Sequence, residues 1–375
     1  MHILIAPNAF KNSLTAEAAA EAIQKGILQS GLDCTTECFP IGDGGDGTVE
    51  LIIKKCKGVL VDVEISNPLG RKINASYGLI DGSNTAVIEM AAASGLRLLK
   101  PNELDPMRAS SFGTGEMIKD ALDKGVNKII LAIGGSATVD VGMGILRALG
   151  IRFINKDGKS LSNPFELIDI EEVETLNIDS RVSKCKVVIL CDVDNKLLGP
   201  QGAAAVFGPQ KGADADAVKQ LDAALTKFSE ITFKQTGIDI TALKYGGAAG
   251  GVSAGLHAYL NAELVTGIDH FLELTGFDAS LQKSDLVITG EGSIDEQTLQ
   301  GKGPFGVAYR AKNKNITVIG LAGKVPLDHN TELHKYFDIL MPIGNGPVAI
   351  EIALANTADN LTRTATEIGN LLKLG

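Results

Sequence analysis

The sequence predicts an α/β protein in which a second α/β domain is inserted into a domain with a parallel sheet. Near the start, the β-rich runs HILIAP and TTECFPI flank the segment TAEAAAEAIQKGILQSG, whose apolar positions 19, 23, 26 and 27 recur at helical spacing. Near the end, the runs DLVITG, ITVIGLAG and FDILMPIG alternate with the helical segment FGVAYRAKNK. Strands that alternate with helices predict parallel pairing, and the separation of the two halves predicts an insertion.

The predicted first domain comprises residues 1–66 and 279–375, and the predicted insertion comprises residues 67–278. The β-rich run VLVDVEI closes the first half, and Pro68 and Gly70 punctuate the chain after it. Gly31 is expected to end the first helix. Inside the insertion, the sequence predicts strands at 72–79 and 85–89, a helix at 114–124 that Gly125 ends, and strands in KIILAIG and KVVILCDV.

Composition and charge exclude several classes of function. The 375 residues are 45% hydrophobic, enough to bury a full core, and they carry a formal net charge of -10. This charge repels polyphosphate backbones and anionic lipids, so neither nucleic acid nor membrane is an expected partner. The start MHILIAPNAF has no basic region before its short apolar run, which predicts a cytoplasmic protein. Five cysteines without C-x-x-C spacing argue against zinc and disulfides, and the oligomeric state stays open.

Glycine is abundant, at 43 residues, and it is concentrated in loops at residues 42–47, 134–144, 199–212, 246–255 and 290–306. Such clusters predict places where the backbone approaches a ligand closely. Carboxylates stand in three of these loops or next to them, after apolar runs: Asp43 in FPIGDGGDGTV, Asp192 in LCDVDN, and Glu291 in ITGEGSIDEQT. Strand ends of this kind are where α/β proteins bind ligands and Mg²⁺. Solvated turn residues are the alternative.

Positive groups stand in or beside similar loops. Lys11 follows the first strand in APNAFKNSLT and could anchor an anion, although an ordinary surface lysine is the alternative. The amides of GGSATVDVGMG, residues 134–144, could cradle an anion. The motif GKGPFG, residues 301–306, matches G-x-G-x-x-G, but about ten residues separate it from its strand, unlike a dinucleotide turn. The other interpretations of GKGPFG are a loop that leads into a helix and a phosphate-binding site at Lys302.

Taken in order, nine motifs resemble those of the bacterial glycerate kinases of the glycerate 2-kinase type: APNAFKNSL, DGGDGT, IEMAAASGL, GTGEMI, GGSATVDVGMG, CDVDN, VFGPQKGA, GGAAGG and TGEGSIDEQTLQGKGPFGVA. The resemblance covers almost the whole chain. It implies ATP- and Mg²⁺-dependent phosphorylation of D-glycerate to 2-phosphoglycerate. It also implies a flavodoxin-like parallel-sheet domain, an inserted α/β domain of mixed sheet, and an active site in the cleft between them.

The sequence departs from the family pattern at several positions. The family usually has aspartate and serine where this chain has Asn8 and Ala9, glutamate where it has Asp46, and proline where it has Lys196. Asn8 can form hydrogen bonds but cannot act as a base or a strong metal ligand. A general-base role for position 8 is therefore not expected in this protein.

Phosphoryl transfer needs bound phosphates, Mg²⁺ and a group that orients the acceptor hydroxyl. We predict Asp43, Lys11 and Asp192 as the catalytic residues, with Asp43 at the hydroxyl, and Asp192 and Asp295 as the metal ligands. The predicted substrate-binding residues are Lys11, Ser13, Asp43, Gly44, Gly45 and Asp46. The predicted nucleotide and phosphate ligands are Gly134, Gly135, Ser136, Lys211, Glu291, Gly292 and Lys302.

Two other functions stay open from the residues. An NAD(P)-dependent dehydrogenase of a small hydroxy acid would use GKGPFG. A non-catalytic organic-acid binding module would use the glycine-rich loops without turnover.

Overall fold

The computed structural model describes residues 1–45, 47–328 and 332–375, so Asp46 lies outside the described residues. The strands are β1 (His2–Ile5), β2 (Thr35–Cys38), β3 (Val59–Ser66), β4 (Lys72–Ile80), β5 (Thr85–Glu89), β6 (Lys128–Ala132), β7 (Arg152–Asn155), β8 (Ile170–Glu174), β9 (Lys186–Cys191), β10 (Glu263–Thr266), β11 (Leu286–Ser293), β12 (Thr317–Lys324) and β13 (Ile339–Pro342). The α-helices are α1 (Ala16–Gln29), α2 (Thr48–Lys55), α3 (Ala91–Ser94), α4 (Phe112–Asp123), α5 (Met143–Ala148), α6 (Ala203–Phe207), α7 (Ala215–Thr236), α8 (Ala248–Leu260), α9 (Gly267–Leu274), α10 (Phe277–Leu281), α11 (Gly303–Lys312), α12 (Ile350–Ala355) and α13 (Thr357–Leu372).

The chain divides into two compact units. Unit 1 comprises Met1–Asp43 and Ile268–Gly375, and unit 2 comprises Gly44–Gly267. These borders lie earlier in the chain than the predicted ones at 66/67 and 278/279. The reason is that α2 packs on β4 and β5, and β3 pairs with β4, so this stretch belongs with unit 2. The predicted position of the active site, in a cleft between two domains, stays a prediction.

Unit 1 contains a five-stranded sheet in the order β13-β12-β11-β1-β2, and every pairing is parallel. Numbered within the unit, this order is 2-1-3-4-5, the flavodoxin-like arrangement. The predicted α/β class and flavodoxin-like sheet are therefore confirmed. The first helix begins after Thr15, whose side chain accepts a hydrogen bond from the backbone of Ala18, and Gly31 follows its end with φ +69°.

The order of these strands reverses direction between β1 and β11. In flavodoxin-like sheets, ligands bind beyond the carboxyl ends of the strands at such a reversal. The residues that follow β1 and β2, and those at the end of β11, lie at this edge. Unit 1 therefore has an edge that is suited to ligand binding, and Asn8, Asp43 and Glu291 belong to the segments at this edge.

Unit 2 contains a six-stranded mixed sheet in the order β10-β9-β6-β5-β4-β3. The strands β5, β6, β9 and β10 are parallel to one another, whereas β4 is antiparallel to both β3 and β5. The predicted mixed sheet is confirmed. Strands β7 and β8 form a separate antiparallel pair. The predicted helix at 114–124 corresponds to α4, and Gly125 follows it with φ +83°.

The third β-rich run does not join the parallel sheet of unit 1, where the predicted domain border placed it. It forms β3, which pairs antiparallel with β4 in unit 2. The residues between them form a tight turn: Gly70 has φ +80° and donates its backbone N–H to the carbonyl of Asn67 at 2.9 Å. Pro68 and Gly70 thus mark a hairpin turn, in which both residue types are common.

Within the described residues, no helix is both long enough and apolar enough to cross a membrane. The cytoplasmic location stays a prediction.

Candidate active site

Asn8 and Asp43 meet at the carboxyl edge of the unit 1 sheet. Asn8 lies three residues after β1, and Asp43 lies five residues after β2, the strand next to it. The Nδ2 atom of Asn8 donates a hydrogen bond to Oδ2 of Asp43 at 2.7 Å. Asn8 is 8% exposed and Asp43 is partly buried. The predicted hydroxyl-orienting carboxylate is thus held by an amide that can only donate to it.

Glu291 is the second carboxyl group of this edge, near the end of β11. It is 8% exposed, and its Oε1 accepts a hydrogen bond from the hydroxyl of Thr298 at 3.1 Å. Burial raises the pKa of Glu291 to about 7, and the charge of Asp43 adds to this rise, while Lys302, the Thr298 hydroxyl and Lys11 oppose it. Glu291 therefore exchanges a proton near neutral pH.

The Thr298 hydroxyl can point its proton in only one direction. The backbone N–H of Asp295 donates to Oγ1 of Thr298 at 3.1 Å, so the single hydroxyl proton is available to Glu291. Thr298 is fully buried. Sequence reasoning missed this residue, although the Asp295-x-x-Thr298 spacing is that of a capping box and could have identified it.

Asp295 itself is used within the fold. Its Oδ1 accepts the backbone N–H of Gln297 at 3.0 Å and caps a 3-10 helix, Glu296–Gln300, while Oδ2 accepts the Ser293 hydroxyl at 3.3 Å. This short helix separates β11 from α11. A dinucleotide-binding turn follows its strand directly, whereas the 3-10 helix separates GKGPFG from β11.

The predicted anion ligands of unit 1 are Lys11, Ser13, Gly292 and Lys302. Lys11 is exposed, and a Cβ on Gly292 would lie 3.9 Å from its backbone nitrogen, so these two lie side by side. Lys302 immediately precedes α11. The Ser13 hydroxyl donates to the carbonyl of Leu354 at 2.6 Å, so its proton serves the fold.

Unit 2 has a glycine-lined edge of its own. Gly134, Gly135 and Ser136 follow β6, and Asp192 follows the neighbouring strand β9, so both loops lie at the carboxyl ends of parallel strands. Asp192 is partly buried. Asp192 lies in unit 2, whereas Asp295 lies in unit 1.

Lys211 supports the loop after β6. It is 2% exposed, and its Nζ donates to the Ser136 hydroxyl at 2.9 Å and to the carbonyl of Thr138 at 2.6 Å. Burial lowers the pKa of Lys211 to about 7, partly offset by the charge of Asp140. The Thr138 hydroxyl, also buried, has no hydrogen-bond partner among the described residues.

Asp140 anchors the other end of this loop and is absent from the predicted site. One of its oxygens accepts from the backbone and hydroxyl of Ser111 at 3.0 and 2.6 Å and from the backbone of Gly144 at 3.1 Å. The other accepts from the backbone of Gly142 at 3.1 Å. Val141, the residue between Asp140 and Gly142, has φ +48°, an uncommon conformation for a β-branched residue. Its N–H donates to the carbonyl of Gly250 at 3.1 Å, which holds it there.

Some glycines of the unit 2 loops lie directly against backbone atoms of other loops. A Cβ on Gly134 would lie 2.9 Å from both the carbonyl oxygen of Gly44 and the Cα of Gly45. A Cβ on Gly250 would lie 2.2 Å from the carbonyl oxygen of Thr138. The expectation that glycine clusters mark ligand contact stays a prediction, and some of these glycines also let one loop lie against another.

The donor sets suit a metal held together with substrate phosphates. Among residues 1–45, 47–328 and 332–375, no group of three or more His, Cys, Asp or Glu side chains is arranged to hold a metal ion. Mg²⁺ in phosphoryl-transfer enzymes commonly needs only one or two carboxylates besides phosphate oxygens. The partly buried Asp192, beside a glycine-lined loop, meets that lower requirement.

Comparison with known proteins decides the family. The sequence pattern of the glycerate kinase family matches residues 3–373. This chain belongs to the glycerate kinase family. It is 42% identical to a glycerate kinase of Bacillus subtilis (strain 168), over 100% of this chain and 98% of the relative. It is 38% identical to a glycerate 2-kinase of Escherichia coli (strain K12), over 100% of this chain and 99% of that one.

A crystal structure from Salmonella typhimurium LT2, described provisionally as glycerate kinase 2, has the same fold. Its TM-score is 0.85 and its sequence identity 41%, and the match covers 100% of this chain and 99% of the other. The family resemblance carried by the nine motifs is confirmed. Membership of the glycerate kinase family lends no support to a dehydrogenase or to a non-catalytic binding module.

Proposed function

We propose that this protein transfers the γ-phosphoryl group of ATP to glycerate, with Mg²⁺ as cofactor, and that the product is 2-phosphoglycerate. The observation that carries the proposal is the Asn8–Asp43 pair beside Glu291 at the switch point of the sheet, in a chain matched by the glycerate kinase family over residues 3–373. The E. coli relative named a glycerate 2-kinase supports transfer to the 2-hydroxyl.

In this proposal, Asp43 orients the acceptor hydroxyl and takes its proton. The hydroxyl oxygen forms the new bond to the γ-phosphorus, the bond from that phosphorus to the bridging oxygen of ADP breaks, and the hydroxyl proton passes to the Asp43 carboxylate. Phosphoryl transfer depends mainly on positioning and charge, which a partly buried carboxylate held by an amide can supply.

Lys11 and Lys302 bind anionic groups at this edge, namely the glycerate carboxylate or phosphate oxygens. Both lysines lie close enough to Glu291 to affect its pKa, so the three form one electrostatic cluster. Glu291 tunes the charge of this cluster, since burial holds its pKa near the operating pH.

In unit 2, the loop of Gly134, Gly135 and Ser136 binds nucleotide phosphates through its backbone amides. Lys211 fixes the position of that loop, because its buried ammonium group donates hydrogen bonds to two loop oxygens. Asp192 would hold Mg²⁺, which when bound neutralises phosphate charge. Asp295 stays a weaker candidate, because both of its oxygens are engaged in the fold.

The test is to identify the product by phosphorus and proton NMR after incubation of the purified protein with D-glycerate, ATP and Mg²⁺. We expect ADP and 2-phosphoglycerate in equal amounts, and no turnover with EDTA in excess. A 3-phosphoglycerate product would contradict the position of transfer only. Absence of ADP formation under all these conditions would contradict the kinase assignment.

A further inference from the structure

Asn8 is fixed on three sides. Its backbone N–H donates to the carbonyl of Gly290 in β11 at 2.8 Å. Its side-chain Oδ1 accepts the backbone N–H of Ala9 at 2.8 Å, and its Nδ2 donates to Asp43 at 2.7 Å. A side chain that is 8% exposed and bonded at both ends of its amide has little freedom to turn.

The contact to Ala9 also sets which way round the amide stands. The backbone N–H can only donate, so the atom facing it must be the carbonyl oxygen of the amide. The NH₂ group is therefore the end that faces the Asp43 carboxylate. A neutral donor in this place holds one oxygen of the carboxylate without adding charge.

Gly303 shows how tightly the amide is enclosed. A Cβ at this first residue of α11 would lie 2.9 Å from Nδ2 of Asn8, 3.2 Å from its Cγ and 3.0 Å from Cδ1 of Ile41. Any side chain at position 303 would therefore press on the amide that holds Asp43. The absence of a side chain here leaves the pair undisturbed.

We infer that Asn8 is a positioning residue for phosphoryl transfer, whose amide holds one oxygen of Asp43 and so orients the carboxylate toward the acceptor hydroxyl. The inference rests on the proposed function, because Asn8 affects the reaction only by holding Asp43, which acts on the acceptor hydroxyl in that proposal. The charged groups that act on this cluster are Glu291, Lys302 and Lys11.

The decisive variant is Asn8→Asp, which introduces the aspartate that the family usually has at this position, keeps the size of the side chain and replaces the donor with oxygen. Two carboxyl groups at 2.7 Å cannot both be ionised at low cost, so at low pH they would share one proton. The shared proton then replaces the amide donor. At high pH both groups ionise and repel, and Asp43 loses its orientation.

We therefore measure kcat of wild type and Asn8→Asp from pH 5.5 to 8.5 and take their ratio at each pH. The loss in the variant should grow by roughly 10-fold or more from the acid to the alkaline end, the expected scale for one hydrogen bond to a charged group. The new carboxylate also acts on Glu291, so the same ratio is taken in a Glu291→Gln background, where that titration is removed. Asn313→Asp, at an exposed asparagine of the same unit, makes the same chemical change away from the cluster and should show a flat ratio.

Gly303→Ala tests the same idea without changing Asn8. Alanine favours a helix more than glycine does, so folding should not suffer from propensity. We expect kcat to fall by about 10-fold or more as the methyl group displaces the amide. Gly344→Ala is the matched control, because a Cβ there meets no atom within 4 Å, and it should keep wild-type kcat.

The outcomes separate the two proposals. If wild type makes no phosphoglycerate, the proposed function fails before any variant is compared. If wild type is active and the ratio for Asn8→Asp is independent of pH, or Gly303→Ala keeps full kcat, the positioning role of Asn8 is wrong while the kinase assignment stands.

Discussion

Glu291 in unit 1 and Lys211 in unit 2 are buried groups of opposite charge, and burial moves both pKa values to about 7. Their surroundings differ in kind. Glu291 is within electrostatic reach of Asp43, Lys302 and Lys11, a set of charges that partly cancel. Lys211 is bonded to a hydroxyl and a carbonyl oxygen, and the charge of Asp140 partly offsets the lowering of its pKa by burial.

The difference indicates a division of work within the protein. A cluster of opposite charges that includes a group with a pKa near 7 suits proton transfer and anion binding, because moving a proton or an anion within it costs little free energy. A lysine enclosed by dipoles suits a fixed support, because each of its hydrogen bonds ties down loop backbone. Accordingly we expect changes in the unit 1 cluster to affect turnover most, and removal of Lys211 to affect stability and nucleotide affinity.

The largest expected effect is that of Asp43→Asn. It should lower kcat by roughly 10²- to 10⁴-fold at every Mg²⁺ concentration, the usual range for a positioned proton acceptor. Asp192→Asn in unit 2 should instead regain part of its activity as Mg²⁺ is raised, because a metal ligand acts through the ion. Steady-state kinetics of both variants over a Mg²⁺ titration make the measurement.

Asp33→Asn, at an exposed aspartate of unit 1, is the control and should match wild type. Rescue of Asp43→Asn by Mg²⁺, with none for Asp192→Asn, would mean that the two roles are reversed. Unchanged turnover in both variants would show that these carboxylates are structural.

The sequence predicted elements better than it predicted partners. The strand predicted at 85–89 is β5, and the helix predicted in TAEAAAEAIQKGILQSG is α1, which ends before Gly31 as expected, because periodicity and capping are local signals. In contrast, the bond from Lys211 to Ser136 joins residues 75 positions apart, and that from Asn8 to Asp43 joins residues 35 apart. Spacing along the chain carries no trace of such contacts, which depend on the order of strands in each sheet.

The same limit explains one error of interpretation and leaves one prediction open. Pro68 and Gly70 indicated a domain border, but the pairing of β3 with β4 makes the stretch a hairpin turn. The glycine clusters that contain Gly134 and Gly250 predicted ligand contact, and the structure shows in addition that these two glycines lie against backbone atoms of loops that are distant in sequence. Glycine content predicts close approach, and only the fold determines what approaches.

A smaller effect is expected for Lys211→Met, which keeps much of the side-chain volume but removes the charge and both hydrogen bonds. The pKa of Lys211 lies at about 7, below its ordinary value of 10.5, so the unfolded chain binds more protons between these limits. Wild-type stability should therefore rise with pH across this window relative to the variant, by about 1 kcal/mol per pH unit at most.

Urea unfolding of both proteins at pH 7.5, 8.5 and 9.5 measures this difference. Lys227→Met, at a partly exposed lysine of unit 2, is the control and should show no such trend. The Michaelis constant for ATP should also rise in Lys211→Met, since Ser136 and the carbonyl of Thr138 lose their support. A pH-independent difference in the free energy of unfolding would contradict the buried, shifted state of Lys211.

The smallest expected effect on stability is the mirror image in unit 1, for Glu291→Gln. The pKa of Glu291 is raised from its ordinary value of 4.5 to about 7, so the folded protein binds more protons than the unfolded chain between these limits. Wild-type stability should fall as pH rises from 4.5 to 7 relative to the variant, again by about 1 kcal/mol per pH unit at most. Lys302, Lys11 and the Thr298 hydroxyl favour the ionised form and limit the rise in pKa, so the pH window is narrower than that of Lys211 and the total change in stability is smaller.

Urea unfolding at pH 5, 6 and 7.5 gives the stability difference, and kcat/KM over the same range gives its counterpart in turnover. If Glu291 tunes the charge of the cluster, wild type should show a transition in kcat/KM near pH 7 that Glu291→Gln lacks. Glu21→Gln, at an exposed glutamate of α1, should retain both the transition and the wild-type stability trend. A stability slope without a kinetic transition would make Glu291 a buried acid that turnover does not use, and the contrast with Lys211 would then be one of charge alone.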